Sequence, residues 1–142
     1  MGVGYTIISL ADLPPDARGD SFFTDAGITF PTAPVAARRP APRDVRAAVA
    51  RLSDCVASCR ATPTSLDIDV TCPATGAWAA IWIQDYAGPS KEDQPCSLYV
   101  QKGWEDLVMR IVGELASVCG PFVVVINGEE PRLVSGSTKT AI

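Results

Sequence analysis

The sequence contains no histidine among its 142 residues. Serine and cysteine nucleophiles are commonly activated by a neighbouring histidine. Without histidine the chain can form no Ser-His or Cys-His catalytic pair and has no histidine general base. The chain also lacks the glycine- and lysine-containing phosphate loop and the dinucleotide-binding fingerprint. These absences argue against the commonest enzyme classes. We therefore expect a protein that is not an enzyme and that holds no cofactor and no metal.

Long apolar runs are missing as well. No segment approaches the roughly 20 apolar residues that a membrane span requires, and the N-terminus lacks the pattern of a signal peptide. We expect a cytoplasmic protein that does not bind a membrane. With 47% hydrophobic residues, the chain can bury a core, and its length predicts a single domain over residues 1–142.

Basic residues are scarce, with 12 Lys and Arg against 16 Asp and Glu and a net charge of -4. The imbalance lies in residues 61–142, which hold ten acidic and five basic side chains. Non-specific nucleic-acid binding needs a basic surface, so we expect no nucleic-acid partner. The acidity allows a basic protein partner, although mild acidity more commonly serves only to keep a protein soluble.

The five cysteines are an odd number without zinc-knuckle spacing. Cys55 and Cys59 lie four residues apart and would share one face of a predicted helix. We expect all five to be reduced, apolar side chains of a cytoplasmic protein. A metal site built from Cys55, Cys59 and distant thiols is the less favoured alternative.

The clearest local pattern is a hairpin. Apolar and polar residues alternate over residues 66–72, which is the period of a half-buried strand. Residues 73–76, Pro-Ala-Thr-Gly, predict a tight turn, and residues 77–84 return as a second strand.

Antiparallel pairing across that turn separates two kinds of side chain. Aliphatic pairs fall on one face: Val70 with Ala79, Ile68 with Ile81, and Leu66 with Ile83. Two tryptophans and neighbouring polar residues fall on the other: Thr71 with Trp78, and Asp67 with Trp82. A shift of one residue would mix the two sets, so the hydrophobic pattern predicts this register.

Two amphipathic helices are predicted, from about Arg43 to Arg60 and from about Trp104 to Cys119, the second ended by Gly120-Pro121. A proline-, alanine- and arginine-rich connector covers residues 31–42, and a frayed tail begins near 135. The other predicted elements are strands, at Tyr5–Leu10, within Ser21–Phe30, at Ser97–Gln101, at Phe122–Ile126 and at Glu129–Val134.

This order predicts an α+β fold, a mostly antiparallel sheet with both amphipathic helices packed on one face. The aliphatic face of the hairpin would lie under the helices. The other face would present five side chains: Trp78, Trp82, Tyr99, Asp67 and Asp69. Either a partner binds there, because aromatic side chains are favoured binding anchors, or the N-terminal strands and the connector fold across it.

The predicted partner-binding residues are the five of that face together with Glu92 and Asp93, which lie in a polar loop. We predict no catalytic residue. Two alternatives remain, a module that binds a small molecule or a peptide, and an enzyme that uses Asp67, Asp69 or Asp85 with a divalent metal. Carboxylates that alternate along a strand are more often simply solvated.

One stretch resembles a known family. Residues 98–108, Leu-Tyr-Val-Gln-Lys-Gly-Trp-Glu-Asp-Leu-Val, and residues 115–122, Leu-Ala-Ser-Val-Cys-Gly-Pro-Phe, are similar to the ending of small bacterial immunity proteins from polymorphic or contact-dependent toxin systems. The resemblance does not extend to the proline-rich connector. It implies a cytoplasmic inhibitor without catalytic residues, which neutralises a cognate protein toxin by direct contact.

Overall fold

The computed structural model describes residues 4–13, 15–18, 21–30, 37–126 and 129–135. Residues 127–128 between the last two predicted strands, the first part of the connector at 31–36 and the tail from 136 lie outside these residues. The strands are β1 (Tyr5–Ser9), β2 (Val56–Ala61), β3 (Leu66–Cys72), β4 (Ala77–Ile83), β5 (Tyr99–Gly103), β6 (Phe122–Ile126) and β7 (Arg132–Val134). The α-helices are α1 (Pro15–Arg18), α2 (Ser21–Thr24), α3 (Pro42–Ala50) and α4 (Glu105–Cys119).

The fold is α+β, as the sequence predicts. The described strands form one antiparallel sheet in the order β2-β3-β4-β5-β1-β6-β7. Helices α3 and α4 pack against each other and against one face of the sheet, where they share a single apolar core with its strands. Within the described residues, no helix is both long and apolar enough to cross a membrane.

The predicted hairpin register is confirmed. Ile68 pairs with Ile81 and Asp67 pairs with Trp82, and the aliphatic residues of both strands are buried beneath the helices. Helix α4 also lies where its apolar period predicts, and it ends at Gly120, which has a positive φ of 87°.

The first predicted helix is wrong in its second half. Helix α3 ends at Ala50, and Val56–Ala61 is the edge strand β2, paired with β3 along its whole length. Val56 and Cys59 therefore do not belong to an apolar helix stripe, and Cys55 and Cys59 share no helix face. All five cysteines are free thiols. The strand forms because pairing with β3 outweighs local helical preference.

The segment before the connector is also different from the prediction. Ser21–Thr24 is the short helix α2, and no strand occurs within 21–30. This segment packs on the sheet face opposite α3 and α4, over strands β1, β6 and β7. A second apolar cluster forms there, with Leu10, Leu13, Phe23 and Val123 at its centre.

Residues 37–41 lead into α3 and are fastened by an ion pair between the half-exposed Arg38 and the buried Asp44. The guanidinium of Arg38 donates to both carboxylate oxygens of Asp44, at 2.6 and 2.9 Å. Asp44 also accepts from the backbone N–H of Ala41 at 2.9 Å. Its side chain is only 7% exposed, and the hydrogen bonds from Arg38 hold the pKa of Asp44 below its usual range.

We predict that Arg38→Met lowers the free energy of unfolding at pH 7 by about 2 kcal/mol, because the Asp44 carboxylate stays buried without its partner. The matched control is Arg39→Met. Arg39 forms an ion pair with Asp12 in which both side chains are exposed, so its loss should cost less than about 0.5 kcal/mol. Urea unfolding of the three proteins measures both differences.

The same pair predicts a pH dependence. Since the pKa of Asp44 is lowered in the folded protein, its stabilisation is present above the ordinary carboxyl pKa of about 3.9 and is lost as pH falls through the folded value. The difference in the free energy of unfolding between wild type and Arg38→Met, measured by urea unfolding, should therefore become smaller below about pH 4. A gap that stays constant to pH 2 would show that the loss comes from packing.

Candidate binding face

The part of the sheet that α1, α2 and their flanking residues leave uncovered lies on strands β2 to β5. We call it the open face and define it by six side chains, Asp67, Asp69, Thr71, Trp78, Trp82 and Tyr99. The predicted covering of this face by the N-terminal part of the chain is found at one end only. The N-terminal segment covers the β1-β6-β7 end, and the end with the tryptophans stays accessible.

The aromatic residues are placed by strand pairing. Trp82 of β4 stands opposite Tyr99 of β5, with ring centroids 6.1 Å apart and ring planes at 42°. Trp78 and Tyr99 are each 38% exposed, whereas Trp82 is half-buried. Such rings combine a large apolar surface with a polar group at the edge, so they contact water when free and a partner when bound.

The carboxylates lie on the same face. Asp67 is half-buried and directly opposite Trp82, and Asp69 is exposed and opposite Ala80. The structure therefore brings together five of the seven residues that the sequence predicts for partner binding, namely Trp78, Trp82, Tyr99, Asp67 and Asp69.

Two basic residues of the open face were missed by the sequence analysis. Arg60 pairs with Asp67 across β2 and β3, and paired residues project from the same face of a sheet. Lys102 pairs with Ala80, because a register shift between Ala80 and Ile81 realigns β5 against β4. The apolar pattern of the sequence predicts a helix at Arg60, and the sequence alone gives no sign of the register shift that places Lys102.

The charged groups of this surface are not used internally. Within the described part of the chain, no ion pair involves Asp67, Asp69, Arg60 or Lys102. Charges of both signs thus lie beside exposed aromatic rings, with their hydrogen-bonding capacity available to another molecule.

A shallow depression of about 430 Å³ adjoins the aromatic pair. Trp82 and Tyr99 form one side of it, and Thr6, Gln101 and Val125 are among the other lining residues. The depression is open to solvent and largely apolar. It is large enough for one side chain of a partner or for a small ligand.

Glu92 lies away from the open face. Its carboxylate accepts two hydrogen bonds from the guanidinium of Arg46 on α3, at 2.8 and 3.0 Å, and one from the hydroxyl of Tyr86. The bonds from Arg46 lower the pKa of Glu92 below its usual range. Glu92 is therefore engaged in holding its loop against α3, while its neighbour Asp93 is exposed.

The carboxylates considered for a metal-dependent enzyme do not converge. Asp85 accepts the backbone N–H of Ser97 with both oxygens, at 2.9 and 3.0 Å. Among the described residues, neither Asp67 nor Asp69 belongs to a group of three side chains that could hold a metal ion. Asp67, Asp69 and Asp85 therefore belong to no three-ligand metal site among the described residues.

We predict that Glu92→Gln destabilises the fold by about 1 kcal/mol, because the charge-assisted bonds from Arg46 are lost. The adjacent Asp93→Asn is the matched control and should change the free energy of unfolding by less than about 0.5 kcal/mol. Chemical denaturation at neutral pH measures both. Equal effects of the two changes would contradict a structural role for Glu92.

Comparison of this chain with protein-family models, with curated proteins and with solved structures finds no match.

Proposed function

We propose that this protein is a non-catalytic inhibitor that binds a cognate bacterial toxin through the open face and blocks it by direct contact. The observation that carries the proposal is the pairing of exposed aromatic rings with unneutralised charges on one accessible half of the sheet. Aromatic anchors surrounded by polar groups are the usual composition of a protein-binding hot spot.

The electrostatics support a protein partner of mixed charge. Asp67 and Asp69 can accept from Lys or Arg of the partner, and Arg60 and Lys102 can bind its carboxylates. Since the whole chain has a net charge of -4, a basic partner would also associate faster. The similarity of residues 98–122 to bacterial immunity proteins supports a toxin as that partner and the bacterial cytoplasm as the place of action.

A ligand-binding module is the second candidate, and the depression beside Trp82 and Tyr99 favours it. A small molecule or a peptide side chain bound there would be held by the two rings and by the lining residues Thr6, Gln101 and Val125. The two candidates differ in the residues that they use. A ligand in the depression contacts Trp82 and Tyr99, whereas a protein inhibitor also needs Trp78, Asp67 and Asp69, which lie outside the depression.

We predict that Trp82→Ala and Tyr99→Ala each weaken binding of the toxin by about 2–4 kcal/mol, which is the usual cost of truncating a central aromatic anchor. The toxin is taken as the product of the gene adjacent to that of this protein. Isothermal titration with a catalytically inactive toxin gives the affinity, and growth of cells that express both proteins gives protection.

The matched control is Val118→Ala, an exposed apolar residue at the end of α4, on the helix side of the sheet. It should bind and protect like wild type. Folded Trp82→Ala and Tyr99→Ala proteins that also protect like wild type would exclude the open face. Binding that depends on Trp82 and Tyr99 but not on Trp78, Asp67 or Asp69 would favour the ligand-binding module.

A further inference from the structure

A separate cluster of reactive side chains lies where β2 begins and β3 ends. Val56 pairs with Thr71, so Cys55, just before β2, and Cys72, the last residue of β3, are brought together at the next position. Asp54 precedes Cys55 in the turn that follows α3. Within the described residues, Asp54, Cys55 and Cys72 are the only group of three side chains able to hold a metal ion, with ligand atoms within 4.8 Å of one another.

The distances resemble those of a coordination site. The sulfur of Cys55 is 3.7 Å from Oδ1 of Asp54, and the sulfur of Cys72 is 3.5 Å from Oδ2. In a tetrahedral zinc site, bonds of about 2.3 Å to sulfur and about 2.1 Å to oxygen separate those ligands by about 3.6 Å. The two contacts use different oxygens of Asp54, so a rotation of its carboxylate would bring one oxygen to both sulfurs, and the three ligand atoms already lie within 4.8 Å of one another.

We propose that Asp54, Cys55 and Cys72 form a binding site for a thiophilic divalent cation of the zinc class. Each thiol releases its proton as its sulfur binds the ion, and Asp54 supplies one oxygen. The fourth position belongs to water, because the side chain of Asp54 is 47% exposed. The two thiolates favour zinc over magnesium and calcium, which bind oxygen ligands, and zinc also accepts a carboxylate oxygen.

Arg110 of α4 completes the site as an outer partner. Its guanidinium donates to both oxygens of Asp54, at 2.6 and 3.0 Å. A carboxylate has about four lone-pair positions, so it can accept from Arg110 and bind a cation together. The formal charges of a divalent ion, two thiolates, Asp54 and Arg110 sum to zero. A bound ion would thus connect the edge strand β2, strand β3 and helix α4.

The experiment uses the reduced full-length chain without oxygen and with Co²⁺ as a spectroscopic probe for the zinc site. Wild type should bind one Co²⁺ per chain, with a thiolate charge-transfer band and the visible absorption of tetrahedral Co²⁺, and Zn²⁺ should displace it. Zn²⁺ at about 100 times its Kd should raise the Tm by about 10 °C.

Cys55→Ser should lose the charge-transfer intensity of one thiolate, weaken Zn²⁺ binding by about 100-fold and abolish the Tm shift. Cys59→Ser, an exposed thiol of the same strand, is the matched control and should behave like wild type. Cys72 is buried, so binding by Cys72→Ala is interpreted only if the melting curve of that variant shows a folded protein. If Cys72→Ala does not fold, Cys55→Ser decides the test, because Cys55 is only half-buried.

Three results would overturn the proposal: no Co²⁺ or Zn²⁺ binding by wild type, a spectrum without thiolate bands, or equal binding by wild type and Cys55→Ser. The outcome is independent of toxin binding, because none of the three ligands belongs to the open face.

Discussion

The pairing of β3 with β4 determines which side chains are available for function. Side chains alternate along both strands, so burying the aliphatic positions under α3 and α4 forces Trp78, Trp82, Asp67 and Asp69 onto the opposite face. Each buried aliphatic side chain contributes about 1.5–3 kcal/mol, and a shift of one residue would forfeit several of them at once. The exposure of the tryptophans is therefore a consequence of the core and cannot be relieved by a local rearrangement.

The sheet face opposite the helices is covered unevenly, and the residue types explain the difference. At the β1-β6-β7 end, Val123 and its aliphatic neighbours need shielding, and Leu10, Leu13 and Phe23 provide it. The other end carries the rings of Trp78 and Tyr99 together with charged side chains of β2, β3 and β5. Because aromatic rings with polar edges tolerate partial exposure, this end is stable without a cover and still gains free energy when a partner excludes water from it.

Elements with a strong local period were predictable, and elements that depend on distant pairing were not. The hairpin and α4 carry their periodicity within one segment, so their register and bounds follow from the sequence. Strand β2 is different, since Val45, Val49, Leu52, Val56 and Cys59 mimic a helical stripe, and only the presence of β3 makes residues 56–61 a strand. The position of Arg60 on the open face, and the proximity of Cys55 to Cys72, depend on that pairing and share its unpredictability.

The corrected position of β2 also changes the electrostatic argument. The sequence suggests an acidic surface for a basic partner, but Arg60 stands opposite Asp67, and Lys102 lies in the same row as Asp69. Net charge acts over a Debye length of about 8 Å at physiological salt and governs encounter, whereas alternating charges act at contact. A partner with a uniformly basic surface would be attracted at a distance and then opposed by Arg60 and Lys102. Under the proposed function, the open face would select a partner whose own charges alternate, which gives specificity without requiring high net attraction.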